Sequence, residues 1–148
     1  MISFKSLNQD QRGATLVEFA IGATVFLSVM FAVLEFGHAL WVHNALSDSA
    51  RRGARYAVLH AASDADSVKN MVVYGAPGGG TTPVVNNLTT DNVTVSYSNF
   101  GLEGGTVSVS ITNYQFQFVV PLIGATIQMP SYRTTLTGES AGLTPANL

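Results

Sequence analysis

The sequence predicts an α+β protein: a long N-terminal helix, apolar in its first half and amphipathic in its second, packed on a small antiparallel β-sheet head. Three observations predict it. The run FAIGATVFLSVMFAVL carries no charge from Phe19 to Leu34, between Glu18 and Glu35. Helix-favouring sequence then continues without a proline to about His60. Beyond Pro83 the chain is rich in Thr, Val, Ser, Tyr and Phe, with apolar and polar residues alternating.

Residues 1–13 form a short polar leader containing Lys5, Asp10 and Arg12. The span follows, over residues 14–35. At about 1.5 Å per residue its uncharged core is roughly 24 Å long, short of a ~30 Å hydrocarbon layer, but counting from Ala14 gives a full crossing. A secretory signal peptide has an apolar core of about 7 to 15 residues and a small-residue cleavage site close behind it, whereas this run is longer and continues into helix. Lys5 and Arg12 before the span place the N-terminus on the cytoplasmic side and everything after Glu35 outside; Arg51, Arg52 and Arg55 lie at the edge of the distance over which loop charges count. Glu18 is the anomaly. A carboxylate within a membrane helix costs about 2.5 kcal/mol or more, which marks it as functional and in need of a partner, for which an amine is the obvious choice. A blander alternative places Glu18 at headgroup level, snorkelling to water.

The helix is predicted to continue through residue 62. In its second half apolar or small residues recur at Phe36, Ala39, Leu40, Leu46, Ala50, Gly53, Ala54, Ala57 and Val58, a narrow stripe. Ala50 with Ala54, Gly53 with Ala57 and, inside the span, Ser28 with Ala32 are small-x-x-x-small pairs that let helix backbones approach closely; helix propensity alone also explains the alanines. Arg51, Arg52 and Arg55 mark a solvated face, and Trp41 and Tyr56 are packing or interface aromatics.

Residues 63–148 form the head. A short helix over 63–74, capped by Ser63 or Asp64, leads into the linker GAPGGGTTP at 75–83. A sheet is predicted within 92–137. One strand places Val93, Val95 and Tyr97 on one face, and a second places Val107, Val109 and Ile111 there, with a hairpin turn over 99–105 between them. The second strand is expected to extend through Gln115–Phe118 to Val120, where Pro121 ends it. Pro121–Gly124 reads as a loop with a hydrophobic tip, and residues 125–129 and 131–137 supply a third strand. Such a sheet needs cover on its apolar face, and the upper part of the long helix is the natural lid.

Composition excludes much else. With 148 residues, 47% hydrophobic and 11% charged, the chain makes one small domain plus an apolar segment. It has no cysteine, hence no disulfide and no thiolate metal site. Net charge is −2 with no basic patch, so nucleic acid is not an expected partner. His38, His43 and His60 are spaced wrongly for a helical zinc site, no lysine follows the glycine run as a phosphate loop requires, and no nucleophile elbow occurs. Asn87-Leu88-Thr89 and Asn92-Val93-Thr94 match the glycosylation sequon, which suggests exposed loop or strand edge. No enzyme activity and no cofactor are expected.

Three motifs stand in order: Arg12-Gly13-Ala14-Thr15-Leu16-Val17-Glu18-Phe19-Ala20, then Glu35-Phe36-Gly37, then Ala50-Arg51-Arg52-Gly53-Ala54-Arg55-Tyr56-Ala57. Together they resemble the TadE-like family of pilin-related proteins of bacterial tight-adherence (Tad) secretion systems. The resemblance covers residues 12 to about 58, and the β-rich remainder fits the family only in class.

That resemblance implies a type IV pilin-like life cycle. A prepilin peptidase cuts between Gly13 and Ala14, and Glu18, with Phe19 beside it, becomes the assembly position whose carboxylate pairs with a mature N-terminal amine. On its own Glu35 reads as an interfacial acid at the outer end of the span; the family motif Glu35-Phe36-Gly37 suggests a helix-contact role instead, beside the small-residue packing positions Ser28, Ala32, Ala50, Gly53, Ala54 and Ala57 read from spacing. The expected partners are other pilin subunits, the Tad assembly machinery and the membrane; the expected location is the bacterial inner membrane, then a pilus or the cell surface. A head of this size favours a minor pilin or pseudopilin over a major pilin. An unprocessed single-pass protein displaying a binding or adhesin domain shares the same topology, and a membrane-anchored enzyme would show convergent polar residues in a pocket.

Overall fold

The computed structural model describes residues 7–99, 105–119 and 126–138, with side chains from Gly13 onward. The order of elements is helix α1 (Leu7–Val58), a 3-10 turn (Ala62–Asp64), helix α2 (Ala65–Tyr74), a second 3-10 turn (Thr90–Asn92), then strands β1 (Val93–Ser98), β2 (Thr106–Ile111), β3 (Gln115–Gln117), β4 (Thr126–Gln128) and β5 (Tyr132–Thr137). The chain divides into two units, residues 1–38 and 39–148, and α1 contributes to both.

The described residues of the first unit, from Leu7, are helix. Ala14 to Leu34 offer only apolar, small and hydroxyl side chains apart from Glu18, and the two hydroxyls of its middle fold back on the backbone: Thr24 Oγ1 donates to Ala20 O at 2.8 Å and Ser28 Oγ to Thr24 O at 2.7 Å. Each satisfies its own hydrogen without leaving the helix surface, as an apolar solvent requires.

The second unit holds the core. Helix α1 turns Val42, Leu46, Ala50, Ala54 and Ala57 inward, at the three-to-four-residue spacing of one helical face, and all are buried. They meet Val68, Val72 and Val73 of α2 and the inner faces of Val93, Val107, Val109 and Ile111. Gly53 allows the closest approach: a Cβ there would collide with Cγ2 of Val72 and touch Cγ1 of Val109 at 3.5 Å. Ser49, also fully buried, accepts from Arg52 Nη2 at 2.9 Å, while Arg52 Nη1 reaches Asp48 one turn away.

Helix α1 ends at Val58, where His60 Nδ1 hydrogen-bonds Tyr56 O at 2.8 Å and its ring stacks on Tyr56 with centroids 3.8 Å apart. The next helix begins at Ala65 rather than Ser63, because Asp64 N bonds Ala61 O and winds residues 62–64 into a 3-10 turn; Asp64 occupies the N-cap position but its side chain makes no capping bond. Gly75 closes α2 in the left-handed region, φ 74°, with its N–H on Met71 O. The glycine- and proline-rich run 75–83 lies inside this unit and returns to α2: Asn70 Nδ2 donates to Pro77 O, and Val84 N bonds Val73 O at 2.8 Å.

Strands β1, β2 and β5 form an antiparallel sheet in the order β1-β2-β5. The register pairs Val95 with Val109 and Val109 with Thr134 on the core face. The opposite face carries Thr94, Ser96 and Ser98 on β1, Thr106, Ser108 and Ser110 on β2, and Arg133, Thr135 and Thr137 on β5. Ser108, at its centre, is buried and accepts from Arg133 Nε at 2.7 Å and Thr135 Oγ1 at 3.1 Å.

The structure corrects two expectations. The second strand does not run on to Val120: it stops at Ile111, and Gln115–Gln117 pairs with Thr126–Gln128 in a separate two-stranded sheet. The third strand of the main sheet is therefore β5 alone. The break is at Asn113, whose φ of 56° is incompatible with continued pleating and is tolerated by asparagine better than by most residues. Asn92 locks this corner. Its Nδ2 donates to Thr112 O at 3.1 Å and Asn113 O at 3.3 Å, its Oδ1 accepts from Thr89 N at 3.0 Å, and its own carbonyl accepts from Thr112 N at 2.8 Å. Residues 100–104 of the expected hairpin turn and the expected hydrophobic tip at 121–124 lie outside the described residues.

Two stability changes follow. Gly53→Leu forces Val72 aside and is expected to destabilise the head by about 1–3 kcal/mol despite leucine's better helix propensity, and adding Val72→Ala recovers part of the loss. Asn92→Ala strands two carbonyls and an amide and costs about 1–3 kcal/mol. Urea midpoints of the detergent-solubilised full chain, followed by circular dichroism, measure both; an unchanged midpoint in either variant contradicts the packing or the corner described.

Candidate functional site: the N-terminal helix

Thirteen large apolar side chains between Leu16 and Phe36 stand exposed, from Met30 at 38% to Phe19 at 73%. The most apolar 18-residue window of α1 has mean hydropathy 2.2, and none of it is buried inside the molecule. By length and composition the helix can cross a membrane. A core helix of a soluble domain would have this surface covered; among the described residues nothing buries it.

Gly13 and Ala14 are exposed and helical, and a Cβ at Gly13 meets nothing within 4 Å. Glu18 stands one turn after Ala14, exposed among Leu16, Val17 and Phe19. Among the described residues it makes no ion pair. Glu35, at the other end of the apolar run, is 5% exposed, with His38 Nδ1 3.9 Å from its Oε2. The two acids that flank the run therefore sit in opposite environments.

The small residues divide in the same way. Ser28, Ala32 and Gly37 are exposed on the apolar half, and a Cβ at Gly37 has open space around it. Ala50, Gly53, Ala54 and Ala57 are buried in the head. Gly53 lies against α2, so this part of the stripe packs on a helix of the same chain. Arg51 and Arg55 are exposed, and Trp41 is 56% exposed.

Sequence reasoning missed the joint between helix and sheet. His43 Nδ1 and Tyr132 Oη are 2.9 Å apart, with the rings edge to face at 5.2 Å. Burial pushes the Tyr132 phenol above the ordinary tyrosine value, so it is neutral near pH 7 and offers a hydrogen to the imidazole or a lone pair to its N–H. Burial raises Tyr114 likewise, and its hydroxyl donates to Asn86 O at 2.8 Å. Neither pairing had a sequence signal, since both join residues far apart in the chain. Asn92, read above only as part of a sequon, had one: an Asn beside Thr89 and before a strand is a turn-forming residue. Among the described residues no three His, Asp or Glu side chains converge as metal ligands.

No curated protein and no solved structure matches the chain. A family model does, over residues 13–55, and its description is TadE-like protein. The matched segment opens at Gly13, contains Glu18 and Glu35, and ends within the small-residue face at Arg55, so over residues 13–55 the N-terminal helix is similar to the TadE-like family.

Proposed function

We propose that the protein is a minor pilin or pseudopilin of a Tad-type pilus, a structural component and not an enzyme. It is held in the inner membrane by residues 14–35, with its N-terminus cytoplasmic and its head outside. A prepilin peptidase cuts between Gly13 and Ala14, and the subunit joins a filament with other pilin subunits through α1. The observation that carries this reading is a TadE-like helix whose most apolar window has no residue buried among the described residues, with one exposed carboxylate in it.

Chemistry gives the two positions their order. While residues 1–13 remain attached, the nitrogen of Ala14 is an amide and cannot act as a cation. Cleavage converts it to an ammonium. Two opposite charges about 4 Å apart attract by about 1 kcal/mol in water and about 4 kcal/mol at an effective dielectric near 20, and each also relieves the cost of the other's desolvation. Glu18 therefore gains a partner only in the processed chain. The exposed Gly13 leaves room for a peptidase to approach the bond, and a large side chain there would obstruct it.

In cells carrying the assembly machinery, Gly13→Leu is expected to leave an uncut precursor, seen as an intact mass that retains residues 1–13. Glu18→Ala is expected to give a correctly cut product whose amount in sheared filaments falls at least about tenfold. Wild-type protein that keeps its leader while filaments form normally would refute processing; normal incorporation of Glu18→Ala would refute the charge pair.

A further inference from the structure

We infer that the outward face of α1 within the head, carrying Arg51 and Arg55, docks against Asp64 and Asp66 at the start of α2 in a second copy of this chain. The inference rests on the membrane-held reading above, because confinement to one membrane is what brings two copies close together.

Charge is unevenly divided within the head. From Ala39 to Val58 three arginines stand against Asp48 alone, whereas from residue 59 onward five acids stand against Lys69 and Arg133. With histidines neutral and the C-terminus left out, the helix stretch is net positive by two and the remainder net negative by three. The three arginines are not equivalent. Arg52 is half-buried and spends its guanidinium on Asp48 and Ser49. Arg51 and Arg55 are exposed one turn apart, on the side of α1 opposite the buried Leu46 and Gly53, and neither makes an ion pair among the described residues. Like charges at that spacing on a helix repel, so the face is stabilised when carboxylates cover it.

A second copy supplies such carboxylates. Asp64 is exposed at the N-cap position of α2, where its side chain makes no capping bond, and it has no ion pair among the described residues. Asp66 follows in the first turn with its side chain 96% exposed, held only by Lys69 at 3.9 Å. The helix dipole favours both as carboxylates. A guanidinium presents a rigid fork of donors that matches a carboxylate, which suits arginine to this pairing. Leu59, four residues after Arg55 and 62% exposed, adds apolar surface beside the charges. Exposed ion pairs are individually weak and screened by salt, so the contact forms between copies concentrated in one membrane and not between dilute ones.

The chain has no native cysteine, so copies can be linked at chosen points. Full-length chains carrying Ser47→Cys, one turn before Arg51, or Ser63→Cys, beside Asp64, are mixed in phosphatidylcholine vesicles and treated with a short bis-maleimide. Resistance to alkaline carbonate extraction reports the membrane-held state. A dimer linked through positions 47 and 63 is expected at low ionic strength, falling at least about threefold in about 0.5 M salt. Arg51→Glu with Arg55→Glu in both copies abolishes it, as does Asp64→Lys with Asp66→Lys in both copies. Mixing the arginine-reversed chain, with Ser47→Cys, and the aspartate-reversed chain, with Ser63→Cys, restores it, because the exchanged charges again oppose. The same added charge placed at Asp91→Lys and Thr94→Lys does not. A dimer that survives either reversal, fails to return on charge exchange, or is absent from a chain that resists carbonate overturns the proposal and leaves the membrane-held reading standing. Extraction of the wild-type chain by carbonate refutes that reading and removes the basis of this one.

Discussion

The first unit is governed by an apolar helix surface that the described residues do not bury. Thirteen large hydrophobic side chains are exposed between Leu16 and Phe36. Fully burying one such side chain gains about 1.5–3 kcal/mol, so covering the set gains on the order of 10 kcal/mol or more even when each is only partly exposed. Against that, one carboxylate at Glu18 costs about 2.5–3.5 kcal/mol. The apolar term wins, and the helix seeks lipid or another apolar surface despite its acid. The hydroxyls of Thr24 and Ser28 do not alter the balance, because each is already bonded to the helix carbonyl one turn before it.

From Ala39 onward the same helix obeys a different rule. Its inward face must fit a valine-rich interior, and small residues let α2 and the sheet approach it. Glycine at 53 costs about 1 kcal/mol of helix propensity. That cost is offset by the packing of Val72 and Val109 into the space a side chain would fill. A stripe of Ala and Gly can serve a helix in lipid or a helix under a sheet, since both need a close approach. What separates the two uses is the company of the stripe: Val42 and Leu46 are fully buried beside Ala50 and Ala54, whereas the residues around Ser28 and Ala32 are exposed.

Local pattern was therefore legible and long-range partnership was not. The apolar run, the helix beyond it, and the alternation of Val93–Tyr97 and Val107–Ile111 each follow from neighbours in sequence, and the α+β layout follows from their order. The end of β2 was misjudged because alternation resumes at Gln115–Phe118 on the far side of Asn113, and periodicity carries no mark of a residue that turns the chain with φ 56°. Asp64, one of the two expected caps of α2, takes the N-cap position without a side-chain capping bond, and the helix starts later than expected because Asp64 N bonds Ala61 O and tightens the preceding turn. Within the helix, sequence singled out both Glu18, read as an acid inside the apolar run, and Glu35, read as an interfacial acid, but gave no sign that the chain itself buries Glu35 and leaves Glu18 exposed. That difference arises from the tertiary environment, as does the meeting of His43 with Tyr132 across 89 positions.

The contrast between the two acids bears on how a processed subunit could wait in the membrane. Glu35 is buried, with the His38 imidazole 3.9 Å from its Oε2 one turn away, so the outer end of the run has a polar side chain beside its acid. Glu18 has no charged side chain within one turn on either side, and side chains on an α-helix tilt toward the N-terminus, which aims this carboxylate toward Ala14, four residues and about 6 Å of helix rise before it. If Gly13 is removed as proposed, the new ammonium appears on that same face. A subunit not yet assembled would then carry a self-neutralised pair in place of a bare carboxylate, and joining a filament would exchange that pair for one between neighbours with little change in electrostatic energy. Under this scheme the decisive gain on assembly comes from covering the exposed Leu, Val, Phe and Ile side chains, and the acid sets the register in which they are covered.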